Sequence, residues 1–115
     1  MAVRQERLVR LQKVFDRISS RLHATSLTRH ELLDLATTLA ILARLLRQTD
    51  HDMQGYALQT GPVSAAWPLY QLDECVRAVQ RDRVTESDET IRTNVEEGLR
   101  YAREALEIVQ QRDVS

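Results

Sequence analysis

Residues 32–46, Leu-Leu-Asp-Leu-Ala-Thr-Thr-Leu-Ala-Ile-Leu-Ala-Arg-Leu-Leu, carry more apolar side chains than one face of a helix can hold. At 100° per residue, Leu32, Leu35, Ala36, Leu39, Leu42, Ala43 and Leu46 form one stripe. Thr38, Ile41 and Leu45 form a second stripe nearly opposite. A helix with two apolar sides either sits at the centre of its domain or turns one side toward another chain. This segment therefore constrains assembly more than chemistry.

The remaining chain reads as three further helices. Leu8, Leu11, Phe15, Ile18 and Leu22, spaced 3, 4, 3, 4, predict a first helix over residues 2–24. Thr28 and Glu31 have the spacing of a capping box, which starts the second helix. Its seam continues through Thr49, Met53 and Tyr56, so the helix is expected to run to about residue 58, with Gly55 its weakest point and Gly61-Pro62 a stop. Leu69, Leu72, Val76 and Val79 mark a short third helix beginning at Ser64 or Pro68. Thr85 and Asp88 are expected to cap a fourth, whose seam is Ile91, Val95, Gly98, Ala102, Ala105 and Val109. The pattern predicts an all-α fold: an antiparallel four-helix bundle with a long second and a short third helix, one domain over residues 1–115. Far from the bundle centre, Tyr56, Trp67 and Tyr70 are expected to plug one end, with an interface as the other reading.

Sixteen basic and seventeen acidic residues leave a net charge of −1, which gives no global pull toward nucleic acid or an anionic membrane. The charge is unevenly spread. Residues 1–24 carry six basic against two acidic side chains, and residues 86–107 carry seven acidic against three basic. The first and fourth helices are therefore expected to be neighbours that neutralise each other. Cys75 is the sole cysteine, read as a buried inert thiol in a reducing compartment. Met-Ala-Val-Arg-Gln-Glu-Arg-Leu lacks a signal-type apolar core, and the longest apolar run includes Asp34 and Arg44, so the expectation is a cytoplasmic protein that does not enter a membrane.

Three constellations bear on chemistry. Arg44 and His51, with six residues between them, have a spacing that resembles that of HEPN-type ribonucleases, which are small helical bundles and often dimers. That resemblance implies that His51 acts on an RNA 2′-hydroxyl and Arg44 stabilises phosphate charge. Arg17 and His23 repeat the spacing with five residues between. His30-Glu31-Leu32 resembles the phosphorylated motif of histidine-kinase dimerisation helices, but Leu33-Asp34-Leu35 stands where that family has Arg-Thr-Pro. The cap at Thr28 places His30 in a first turn, where the helix dipole opposes a cationic imidazole. Asp50-His51-Asp52 gathers three metal-ligand types, yet consecutive helical residues diverge by 100°, and no metal or cofactor is expected.

The resulting expectation is a protein-interaction module (adaptor, regulatory or complex subunit) rather than an enzyme, assembled as a homodimer. Contact residues are expected at Thr38, Ile41, Leu45, Met53, Tyr56 and Trp67. The alternative is a metal-independent ribonuclease using Arg44 and His51. Nucleic-acid binding through Arg7, Arg10, Lys13, Arg17 and Arg21 ranks third.

Overall fold

The computed structural model describes residues 2–23, 26–53 and 65–114, with side chains at all of these except 2–4, 53, 82 and 112–114. Within them the chain forms four helices and no strands: α1 (Ala2–Leu22), α2 (Arg29–Met53), α3 (Ala66–Asp82) and α4 (Asp88–Val114). All five seam residues of α1, all seven main-stripe residues of α2, and the full seams of α3 and α4 are buried together in one core, so the 3.6-residue period read from the sequence is the packing period.

Local chemistry sets the helix ends. Thr28 Oγ1 accepts from the Glu31 backbone N–H at 3.1 Å while the Glu31 carboxylate accepts from the Thr28 backbone N–H at 3.2 Å, the reciprocal pair of a capping box. α1 ends at Leu22 rather than residue 24. Its freed carbonyl is taken by Arg92 at 2.7 Å, and the His23 ring donates through Nδ1 to the Ser19 carbonyl at 2.6 Å. α4 is capped by Ser87, not Thr85, because the Ser87 hydroxyl is the one three residues before a free helical N–H, that of Thr90 at 3.2 Å. α3 starts at Ala66 without a side-chain cap, and Pro68 sits in its first turn, where no N–H is needed. α2 is 25 residues long and α4 27, so the second helix is not the longest of the described elements; α3, at 17, is the shortest. The expected continuation of α2 to residue 58, with Gly55 and Tyr56, lies outside the described residues, as do Gly61-Pro62 and Ser64.

α4 packs extensively on both α2 and α3, and α1 packs on α2 and, more lightly, on α4. Small residues explain the close side. At Gly98 the backbone of α4 comes so near α2 and α3 that a Cβ would lie 2.7 Å from Leu39 Cδ2 and 3.3 Å from Cys75 Cβ. Polar pairs join helix ends: Arg7 of α1 meets Asp52 of α2 at 2.7 Å, Arg21 meets Glu31, and Arg29 meets Asp88 and the Arg83 carbonyl; Arg47 of α2 meets Asp73 at the middle of α3. Exposed pairs of this kind add little stability each; they fix which ends lie together.

Among the described side chains the expected neutralisation of α1 by α4 is not what is observed. The two helices are neighbours, but Arg7 and Arg21 are satisfied by α2, and the α1–α4 contact is made by Gln110 donating to Gln12 at 2.9 Å, by Arg92 on Leu22, and by Arg103 lying 5.4 Å over the Phe15 ring. Net charge per helix does not specify which flank bears the charge, and α4 turns arginines toward α1.

Two carboxylates are tuned by these end contacts. The Thr28 backbone N–H and hydroxyl, aided by Arg21, hold the Glu31 carboxyl below the ordinary range, and the Arg7 guanidinium does the same for Asp52. A carboxyl lowered in the folded state contributes stability above its unfolded pKa, and that contribution disappears as pH falls through the folded value. The melting temperature should therefore drop below about pH 4. In a Glu31→Gln/Asp52→Asn variant the midpoint should be lower at neutral pH and fall less on acidification. Parallel curves for the two proteins would contradict this assignment.

Candidate functional site

The second α2 stripe is only partly open. Leu45 is half-buried against the core, and Thr38 is half-buried with its hydroxyl donating to the Asp34 carbonyl at 3.1 Å. Ile41 alone stays prominent, 50% exposed. The stripe is thus narrower than its pattern predicts, because Leu45 packs partly against the core. Met53 closes α2, but its side chain lies outside the described set, and Tyr56 lies outside the described residues altogether.

Trp67 and Tyr70 do not plug the bundle. They project from the first two turns of α3, 64% and 56% exposed, and stack on each other with ring centroids 6.3 Å apart and planes 23° from parallel. Leu69, between them in sequence, takes the inward position. Ile41 does not join this pair. The start of α2 lies at the end of α3, through Arg29 and the Arg83 carbonyl, while Arg47 meets Asp73.

Arg44 and His51 are both exposed on α2, two turns apart. Of the three residues at 50–52, Asp50 is buried whereas His51 and Asp52 are exposed, and Asp52 is occupied by Arg7 and Gln48. Among the described residues no group of His, Cys, Asp and Glu could hold a metal ion. His30 is exposed in the first turn of α2 with Asp34 3.6 Å away. Cys75 is buried, and desolvation, with Glu97 nearby, pushes its thiol up, away from the thiolate a nucleophile requires. No helix of the described residues is long and apolar enough to cross a membrane.

An open cleft of about 490 Å³ runs between α1 and α4, floored by Phe15, Leu22 and Leu99 and edged by Ser19, His23, Arg92, Glu96, Arg100 and Arg103. A cleft of about 590 Å³ lies along α1 at Gln5, Val9 and Lys13, and a small one of about 50 Å³ lies between α2 and α3 at Leu33, Thr37 and Val79. None of the three includes Arg44 or His51. α4 approaches α2 and α3 closely at Gly98 and packs less extensively on α1, the side on which the first cleft opens. The sequence did carry a signal, since Arg92, Glu96, Leu99, Arg100 and Arg103 share one helical flank. Only the position of α1 shows that this flank faces a neighbour.

Comparisons with protein-family models, with characterised proteins and with solved structures give no match.

Proposed function

We propose that this chain is a non-catalytic helical interaction module of the cytoplasm that binds another protein chain through apolar side chains left outside the core, and that it pairs with a second copy of itself. The observation that carries the reading is the stacked pair Trp67 and Tyr70, two large amphipathic rings mostly exposed on a rigid helix. Aromatic side chains of this kind contribute large contact area at small entropic cost, and Trp and Tyr are over-represented among residues that dominate binding energy. Ile41 supplies a second apolar point on another side. The frame is an antiparallel bundle, a reading supported by the end pairs Arg7–Asp52 and Arg21–Glu31 and, for α2 and α3, by Arg29 on the Arg83 carbonyl together with the mid-helix pair Arg47–Asp73. Thr38 and Leu45 flank Ile41 as rim rather than anchors.

Sedimentation velocity across the micromolar range tests this. The wild-type chain should sediment as a dimer in equilibrium with monomer. Truncating one aromatic anchor costs about 2 kcal/mol, so Trp67→Ala should weaken the dimer roughly thirtyfold with unchanged helicity. A wild-type chain monomeric at every concentration, or a Trp67→Ala/Tyr70→Ala variant that dimerises like wild type, rules out the proposed pairing.

A further inference from the structure

We infer that copies of this chain pair head to tail. The α1–α2 face of one copy, Ile41 among Arg10, Arg17 and Arg44, seats on the α3–α4 face of the next, where Trp67 stands beside Glu97 and Glu104. This rests on the self-pairing reading above and adds which surfaces meet. α1 and α3 each pack on both α2 and α4 and scarcely touch each other, so they occupy opposite flanks of the α2–α4 pair. The two faces therefore look away from one another.

Two ties set α1 against α2, Arg7–Asp52 and Arg21–Glu31. Midway between them stand Val14 on α1 and Ile41 and Leu42 on α2, so Ile41 is level with Val14. Arg10 and Arg17 lie one turn either side of Val14. At about 100° per residue they stand next to the tied arginines, on their solvent side. Arg44 follows Ile41 by one turn. Among the described residues Arg10, Arg17 and Arg44 form no ion pair, unlike Arg7 and Arg21. Glu6 and Asp34 are also on this side, but with Lys13 the cations outnumber them and the face is positive.

On the other side, α4 folds back along α3 after residues 83–87, and Gly98 abuts Cys75 and Leu72. That register levels Trp67 with residues 103–106 of α4. Trp67 is about 80° around α3 from Cys75, which faces α4, and about 120° from Asp73, which faces α2. The indole therefore leans toward α4, with Tyr70 stacked on it. Glu97 is on the α3 edge of α4, because its charge reaches the Cys75 thiol, and Glu104 follows it two turns on. Among the described residues neither carboxylate forms an ion pair. Arg100 stands between them over the Tyr101 ring, and with Glu107 alongside the edge stays acidic.

The two faces match. Seven residues separate Arg10 from Arg17 and Glu97 from Glu104, about 10.5 Å in each case, so both cations can meet both carboxylates at once. Each row runs beside an exposed apolar anchor, Ile41 on one face and Trp67 on the other. A two-fold pairing of like faces would set arginines against arginines or glutamates against glutamates. A nucleic acid would leave Ile41 wet, and the aromatic rings that could stack its bases stand on the opposite flank. A head-to-tail pair leaves one basic and one acidic face open, so the dimer begins a series that lengthens with concentration.

Sedimentation velocity of the full chain at low salt tests this. From micromolar to millimolar concentration the wild type should pass through dimer to longer species, and added salt should shorten the series. Arg10→Glu/Arg17→Glu and Trp67→Ala/Glu97→Gln/Glu104→Gln should each associate at least about tenfold more weakly on their own, with helicity unchanged by circular dichroism. Mixed in equal amounts, each supplies the face the other lacks, and a one-to-one dimer that does not lengthen should form. Three outcomes overturn the head-to-tail arrangement while leaving self-pairing in place: a wild type that stops at the dimer, an Arg10→Glu/Arg17→Glu variant that associates like wild type, or a mixture no tighter than its parts. A wild type monomeric throughout removes self-pairing as well. A single-stranded RNA that dissolves the longer species, and needs Arg10 and Arg17 to do so, overturns the inference in favour of nucleic acid.

Discussion

Leu42→Ala will lower the unfolding free energy by about 3 kcal/mol, while Ile41→Ala, one position earlier, will change it by less than about 0.5 kcal/mol. Leu42 is completely buried at the centre of α2, so truncation removes its transfer energy and leaves a cavity that α1 and α4 cannot close without moving. Ile41 points to solvent and has no comparable packing to lose. Both substitutions raise helix propensity slightly, so propensity cannot produce the contrast. For a chain of this length, 3 kcal/mol corresponds to a fall of about 12 °C in melting temperature. Urea unfolding monitored by circular dichroism below the dimer concentration range measures both. Equal effects at the two positions would mean that α2 is enclosed on all sides.

The contrast also shows what the chain's pattern could and could not disclose. Apolar spacing located the core residues it named from Leu8 to Thr49 and from Leu69 to Val109, because burial in a helical bundle depends on a local angular period; Met53 and Tyr56 of the α2 seam lie outside the described side chains. The Thr28 cap was legible for the same reason, as its two partners are three residues apart. Features set by a neighbouring helix were not legible. The end of α1 depends on Arg92, seventy residues away, and the exposure of Trp67 depends on Leu69 taking the inward position beside it. The second stripe of α2 looked wider than it is because the core partly shelters Leu45. Charge was the most misleading local quantity. A balance summed over α4 is acidic, yet the flank it turns toward α1 presents Arg92, Arg100 and Arg103. The aromatic pair and the arginine cleft are therefore properties of arrangement, visible only when helices are placed side by side.

The closest of these placements makes the second large prediction. Gly98→Val should cost about 4 kcal/mol and Gly98→Ala about 1 kcal/mol, although either residue is a better helix former than glycine by several tenths of a kcal/mol or more. Alanine's Cβ would lie 2.7 Å from Leu39 Cδ2, 3.3 Å from Cys75 Cβ and 3.5 Å from Leu72 Cδ1, so three residues from two helices must yield together. Leu39 and Leu72 are fully enclosed and have no open space to enter. Valine adds two methyl groups to the same volume, and the separation of α4 from α2 must grow. A double-mutant cycle isolates this cause. In a Leu39→Ala background the space is already empty, so Gly98→Val should cost less than it does alone by about 1–2 kcal/mol. If the two losses simply add, close approach of α4 to Leu39 is not the reason a glycine occupies this position.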